Sequence, residues 1–330
     1  MRKHISIILL IAVVDVSLSS VYAQSFKEYL VFVREKAIEA GISEAIINQE
    51  LSQLKPDPRV LALDRKQPEF IQTTEDYLKA RLSDKRINDG RNLRQIHNRD
   101  LLAVERTYQV DANYIVAFWG LETNFGRYQG KYSVIRSLAT LGHDPRRNTF
   151  FTRELISALK ILDEGHVKSG SFVGAWAGAM GQSQFMPSSF FGYAQDFDGD
   201  GKKDIWNSEL DVFASIANYL RKNGWIYSYL WGKKVNVSNE VYDRFPPTPG
   251  KSGCRAMKHH SAPYPLTHWI DLGIDPGKLS KDKTYKLLRL SDTPDQTYLV
   301  GKNFETILQY NCANKYAVSV GLLADYLADI

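Results

Sequence analysis

The 330-residue chain is poor in cysteine and histidine, with two and seven, and none of them stands at the spacing of a zinc site. His97, His143, His166, His268 and the pair His259 and His260 lack a matching set of ligands, so they read as surface or ordinary hydrogen-bonding residues. No glycine-rich nucleotide loop, internal repeat or low-complexity tract occurs. Beyond the first twenty-odd residues no apolar run has the length and purity of a transmembrane helix. Concentrated charge is lacking too: the formal balance is +5, with basic residues scattered, which argues against nucleic acid and names no other partner. Cys254 and Cys312 leave two readings open, a disulfide in an oxidising compartment or two separately buried thiols.

What is present begins with an export signal. Arg2, Lys3 and His4 precede an apolar run from Ile5 to Val14, and Val21-Tyr22-Ala23 stands before Gln24 as a small-residue cleavage site. This layout predicts a signal peptide over 1–23, because the run is too short for a stable bilayer span. No cysteine lies near the cut, so a soluble mature chain without a lipid anchor is expected. About 307 residues would remain, enough for one large body or two to three subdomains. Aromatics at 12% suit a packed core or a carbohydrate groove.

Helical periodicity dominates up to residue 225. Phe26, Tyr29, Leu30, Val33 and Ala37 mark the first helix, and Ile47 with Leu51 marks a second. Residues 56–74, with Pro56, Pro58 and Pro68, read as an extended connection. Helix is expected again from Glu75 to Leu82 and from Leu93 to Tyr108. Asp111 is placed to cap an apolar helix from Ala112 to Leu121. Further helices fit 149–164 and Leu210 to Leu220, and a final apolar pattern runs from Tyr316 to Leu327. Between 226 and 300, β-branched runs such as Lys234-Val235-Asn236-Val237 and Tyr298-Leu299-Val300 alternate with turn signals, predicting a small β-rich subdomain.

Glu122 sits at the end of the apolar run Trp119-Gly120-Leu121-Glu122. If the helix continues one turn, Phe118 and Phe125 flank the carboxyl. An apolar surround penalises the anion, raises the pKa and keeps a proton available near neutral pH. That is what protonating a glycosidic oxygen requires. The competing reading is a helix-end glutamate paired with Arg127. Glu154, Asp163 and Glu164 read as an ordinary solvated face.

Gly178 to Ser189 is neither a clean helix nor a strand. Its small residues allow close approach to a ligand or to the Glu122 helix. Gln184 offers a donor and an acceptor to a sugar, and Met180, Phe185 and Met186 offer apolar contact. A tight packing loop before a helix opened by Pro187 accounts for the same residues, with Gln182 free to face solvent. Asp196-Phe197-Asp198-Gly199-Asp200-Gly201-Lys202 matches the opening of a calcium loop, with oxygens at 196, 198 and 200, a carbonyl at 202 and Gly201 at the turn. Position twelve is Asn207, so the usual bidentate glutamate is missing and Asp211 is the candidate closure. The alternative is a solvated Asp-Gly turn.

The segments Ile115 to Gly126, Leu138 to Leu141, Pro145-Arg146-Arg147, Gly178 to Ser188, Ile216 to Tyr219, Leu308 to Asn311 and Tyr316 to Leu322 occur in an order that resembles the membrane-bound lytic murein transglycosylase B family, which includes soluble and lipid-anchored members. The resemblance covers most of Phe26 to Ile330 and is weakest over 226–300. It implies a mainly α (α+β) fold: a lysozyme-like helical core with an additional helical region within 24–225, the acidic loop at 196–211, a small β-containing subdomain at 226–300, and a segment at 301–330 returning to the core. It implies Glu122 as the sole catalytic carboxylate, with Gln184, Tyr310, Asn311 and Tyr316 in the groove and Arg146 and Arg147 contacting peptide or sugar. Asp211 falls where a later aspartate closes the family's calcium site. Some members have glycine where this chain has Ser183, which changes local backbone freedom.

The activity so implied is cleavage of peptidoglycan between N-acetylmuramic acid and N-acetylglucosamine, with Glu122 as acid and then base and formation of a 1,6-anhydro ring. No cofactor is needed for that chemistry, and calcium would be structural. Glycan strands are the expected partner, for a periplasmic monomer that cell-wall synthesis or secretion assemblies could recruit. A lysozyme-type hydrolase and a catalytically silent glycan-binding protein are the alternatives.

Overall fold

Ser25 opens the first helix with a capping box: its hydroxyl accepts from the Glu28 amide, and the Glu28 carboxylate accepts from the Ser25 amide at 2.8 Å. The structure is a computed structural model and describes residues 25–66, 72–248, 253–290 and 294–328. The signal peptide expected at 1–23 lies outside the described residues. Helix α1 (Phe26–Glu39) is followed by α2 (Glu44–Leu51), capped by Ser43.

Two expectations for the next stretch are corrected. Residues 56–74 contain α3 (Pro58–Lys66) rather than an extended connection. Pro58 opens that helix, where a missing N–H costs nothing. The Asp57 carboxylate accepts from the Arg59 amide at 3.0 Å, and Val60 is driven into the core. After α4 (Thr74–Arg81), the helix expected over Leu93 to Tyr108 proves to be two, α5 (Asp84–Ile96) and α6 (Asn98–Tyr108). They meet at His97, whose ring packs edge-on to Trp119 and Phe213 at 5.7 and 5.4 Å.

Asp111 holds the N-cap position of α7 (Ala112–Thr123) in extended backbone but makes no side-chain capping bond. Almost every residue of α7 up to Gly120 is buried, because α5, α6, α11 (Glu209–Lys222) and α15 (Asn314–Ala328) pack around it. Between α7 and α11 come β1 (Tyr132–Ser133), α8 (Val134–His143), α9 (Asn148–Asp163), β2 (Val173–Gly174) and α10 (Pro187–Tyr193). β1 and β2 pair antiparallel, Tyr132 opposite Gly174.

The remaining elements are β3 (Gly232–Lys234), α12 (Asn239–Asp243), β4 (Tyr264–Pro265), α13 (Leu266–Asp271), β5 (Thr284–Arg289), β6 (Thr297–Val300) and α14 (Lys302–Tyr310), before α15. The strands form one antiparallel sheet in the order β3-β6-β5-β4, with Leu287 opposite Leu299. Strand alternation divides the sheet's buried residues between two cores. Tyr285, Leu287 and Leu299 join a small cluster with Trp269 and Phe245, while Leu288, Tyr298 and Val300 face the helical body. There Trp231 meets Tyr298 and Phe304, each at 5.9 Å. The run Lys234 to Val237 leaves β3 after its first residue, although Val235 and Val237 stay buried. The molecule is thus mainly α with a small β part.

Candidate active site

Three consecutive left-handed residues stop α7 immediately after Glu122 and Thr123: Asn124 (φ 50°), Phe125 (φ 60°) and Gly126 (φ 77°). The helix therefore does not continue, and Phe125 does not flank Glu122 as expected. It folds back edge-on against Trp119 at 5.5 Å. Glycine at 126 serves both the positive φ and the space, since a Cβ there would sit 2.3 Å from Gln182 Oε1. Arg127 also departs from its expected role and pairs with Asp89 at 2.6 Å.

Glu122 is half-buried, and its Oε1 accepts from the Tyr316 hydroxyl in a short hydrogen bond. Burial pushes its pKa up to about 7, and the Tyr316 bond and the Arg81 charge oppose the rise without cancelling it. Arg81, on α4 rather than on α7, is the charged group that acts on Glu122. Arg81 lies in the last turn of α4 with its guanidinium over the Tyr77 ring at 4.9 Å. Neither was singled out in the sequence; an arginine and a tyrosine on a polar helix carry no local signal.

Phe118 stands 4.7 Å from the Tyr310 ring and 6.3 Å from the Tyr316 ring, so the three residues form an aromatic wall beside the carboxyl. Tyr310 donates to the Ser183 carbonyl at 2.5 Å and packs at a tilt against the Tyr219 ring at 4.6 Å. Burial and the nearby Glu122 carboxylate raise both tyrosine pKa values well above the ordinary phenol range, so both keep their protons and act as hydrogen-bond donors at neutral pH. Asn311 caps α14 on the exposed side of this wall.

Much of the Gly178–Ser189 segment is buried as a packing loop, with Gln184 only partly covered. Gln184 is half-buried at φ 49°, and its side-chain amide nitrogen donates to the carbonyls of Gly181 and Gln129 at 2.9 and 3.2 Å. Met180 and Phe185 are 0% and 2% exposed, so they form the floor and not a contact surface, a correction to the expected apolar contact. Gln182 does not face solvent. It is 3% exposed, accepts from the Trp119 indole at 2.6 Å and donates to the Trp206 carbonyl at 3.0 Å. Ser183 is buried at ordinary backbone angles, and the strained position is the following Gln184.

Arg146 and Arg147 lie on the exposed corner between α8 and α9. Arg146 bonds Asp144 and Asp64, and Arg147 reaches Asp64 and covers the Phe151 ring at 4.6 Å. Glu154, read as solvated, is 0% exposed and accepts from the Ser188 amide and hydroxyl, each at 2.8 Å. It lies among the buried Phe151 and Leu155 of α9, against which α10 packs.

In the acidic loop, carboxylate oxygens of Asp196, Asp198 and Asp211 lie within 4.8 Å of one another. Asp211 is fully buried and accepts from the Phe197, Asp198 and Asp204 amides. Burial, assisted by Asp198, still raises its pKa, which is the cost a divalent cation would relieve. Asp200 stands outside this group and accepts from the Lys202 amide at 2.8 Å. Asn207 turns to Asp204. The loop is tied to the site directly, because the Gln182 amide donates to the Ile205 carbonyl at 2.8 Å. Cys254 and Cys312 form a disulfide, with Cα atoms 5.5 Å apart.

Known proteins match this arrangement over most of its length. The transglycosylase SLT domain model matches residues 25–325. The membrane-bound lytic murein transglycosylase B of Escherichia coli (strain K12) is 33% identical over 226 residues, 68% of this chain and 58% of that enzyme. The chain thus spans less than two thirds of that relative. SltB3 from Pseudomonas aeruginosa, solved in complex with NAG-anhNAM-pentapeptide, superimposes with a TM-score of 0.84 at 38% identity over 93% of this chain and 80% of its own. The Escherichia coli lytic transglycosylase Slt35 in complex with calcium gives 0.75 at 28% identity over 91% and 92%. With a family model spanning nearly all the described residues, the chain belongs to the transglycosylase SLT family.

Proposed function

We propose that this protein is a lytic transglycosylase that cleaves the β-1,4 bond between N-acetylmuramic acid and N-acetylglucosamine in peptidoglycan. The observation that carries the reading is a half-buried glutamate, Glu122, held near pKa 7 and bonded to a phenol, with no carboxylate among the groups that set its proton affinity. A hydrolase ordinarily uses a second carboxylate to activate water or to attack the sugar. A one-carboxylate site suits an intramolecular route.

Protonated Glu122 donates to the glycosidic oxygen as the bond to muramic C1 breaks. The resulting carboxylate takes the proton from the C6 hydroxyl, whose oxygen closes on C1 to give the 1,6-anhydro product. The N-acetyl oxygen of the same sugar stabilises the positive charge at C1. Holding the C6 oxygen beside C1 supplies the entropic part of the acceleration. Tyr316 orients the Glu122 carboxyl through its hydrogen bond; Gln184, Tyr310 and Asn311 line the groove, and Arg146 and Arg147 meet the outlying peptide or sugar. The complexes of SltB3 with NAG-anhNAM- and NAG-NAM-pentapeptide support this substrate class.

Calcium fits the Asp196, Asp198 and Asp211 group as a structural ion, with Asp200 and the Lys202 carbonyl as further oxygens, and a calcium complex of Slt35 supports that assignment. A periplasmic location, which rests on the export signal expected at 1–23, and a monomer acting on glycan strands, alone or within wall-synthesis or secretion assemblies, belong to the same proposal; no described helix is long and apolar enough to cross a membrane. A division of the chain at 225 and 300 is part of this proposal, and the small second core formed by residues between 229 and 299 supports it. Digestion of purified peptidoglycan followed by mass analysis tests the activity. Anhydromuropeptides are expected from the intact protein and nearly none from Glu122→Gln, a loss of about a thousandfold; reducing-end products carrying added water would overturn the reading.

A further inference from the structure

The connection between α14 and α15 is short and exposed, yet Tyr310 lies at one end of it and Tyr316 just beyond the other. Its own backbone gives few ties: the Ala313 amide donates to the Asn311 carbonyl, and the Asn311 amide closes the last turn of α14. The Ala313 carbonyl accepts from the Ala317 amide at 3.0 Å, and the side chains of Cys312 and Asn314 are both tied to one distant segment, 254–260. Cys312 is joined to Cys254, and its sulfur accepts from the Ala256 amide at 3.5 Å. Asn314 donates to the Ala256 carbonyl at 3.0 Å, and its amide oxygen meets His260 Nε2 at 2.8 Å. His260 is 1% exposed and bridges to Leu288, and the Ser261 amide donates to the Leu287 carbonyl, so the segment is anchored on β5.

We propose that residues 254–260 are a clamp through which the sheet positions Tyr310 and Tyr316 against Glu122, with Cys312 and Asn314 as positioning residues and the disulfide as a reducible half of the clamp. The inference rests on the lytic reading above for its effect on rate. Cys312 is exposed, so a small dithiol can reach it. One thiolate of that dithiol attacks the disulfide, the released cysteine leaves as a thiol, and the second thiol resolves the mixed disulfide. Two cysteine thiols and one oxidised dithiol result. The polar half, through Asn314, survives reduction, so the outcome is a loosened connection and not a lost fold.

The test compares the full chain, oxidised and after dithiothreitol with free thiols confirmed by alkylation, against Cys254→Ser with Cys312→Ser and against Asn314→Ala. Amide exchange over 311–316 should quicken about tenfold on reduction while exchange in α7 stays unchanged. The kcat for anhydromuropeptide release should fall by up to about tenfold, more than KM rises, since a displaced phenol misplaces the acid. Reoxidation should restore the native cysteines' rate and not the double serine's. Asn314→Ala, with its disulfide intact, should move both readouts the same way, and it decides the matter if reduction unfolds the chain. Unchanged exchange and kcat in the reduced protein and in Asn314→Ala would sink the clamp. If the oxidised protein releases no anhydro product, the lytic reading fails, while the exchange comparison still decides the clamp.

Discussion

Glu122, at the end of α7, and Glu154, on α9, are both glutamates drawn into the helical body, and they differ in how their oxygens are met. Both Glu154 oxygens are engaged by Ser188, one by the amide and one by the hydroxyl, under complete burial. Glu122 has one phenolic bond and keeps an opening to solvent. A carboxylate with both oxygens satisfied by fixed donors serves as a joint between helices. One that is partly dried and half-satisfied keeps its proton and has a free oxygen for a substrate. Burial alone therefore does not mark a catalytic acid; the number of donors around it does.

That contrast can be broken most sharply at Glu154. Glu154→Ala should cost about 3 kcal/mol, by orphaning the Ser188 amide and leaving a cavity. Denaturant unfolding would measure it, and the specific activity of the folded protein should survive. Loss of activity without loss of stability would place Glu154 with the chemistry.

Glu122 should show the opposite sign. Its folded pKa, about 7, lies above the ordinary 4.5, so between those values the folded state holds more proton than the unfolded one. Stability should then fall as pH rises through that window. Glu122→Gln, which does not titrate, should match the wild type near pH 4 and exceed it at pH 8 by roughly 1–3 kcal/mol. Parallel stability curves for the two proteins from pH 4 to 8 would remove the premise of a strained acid.

Tyr316→Phe keeps the dry wall and deletes the bond that lowers the Glu122 pKa. The alkaline limb of kcat/KM, where the acid loses its proton, should move to higher pH, and the maximal rate should fall about tenfold. A limb that stays in place would separate Tyr316 from the titration. The smallest effect is expected at the acidic loop. Chelation should lower the melting temperature by about 2–4 °C, as about 1 kcal/mol does for a chain of this size, and leave the rate constant of folded enzyme nearly unchanged. Asp196→Asn should abolish any response to added calcium.

Much of the helical architecture was legible in sequence, because amphipathic spacing is a local property. Where reading failed, the cause was also specific. Three prolines made 56–74 look extended, although Pro58 occupies the one helical position that tolerates it. The continuity of Leu93 to Tyr108 hid the break at His97, which is set by the Trp119 and Phe213 rings beneath it. In the site, Glu122 stood out as a charge in an apolar run. Gln182 and Glu154 did not, because a polar residue's burial depends on which element covers it.

Alone, the amino-acid order determined the export signal expectation, the helical periods, the charge at the end of α7 and the alternating aspartates, since each is written within a few residues of chain. Only the tertiary structure decided that Tyr316, 194 positions away, would bond to Glu122, that Arg81 would add its field, and that Cys254 would hold Cys312. Such pairings depend on how helices and sheet pack in three dimensions, and burial, which sets the proton affinity of Glu122, exists only once that packing has excluded water.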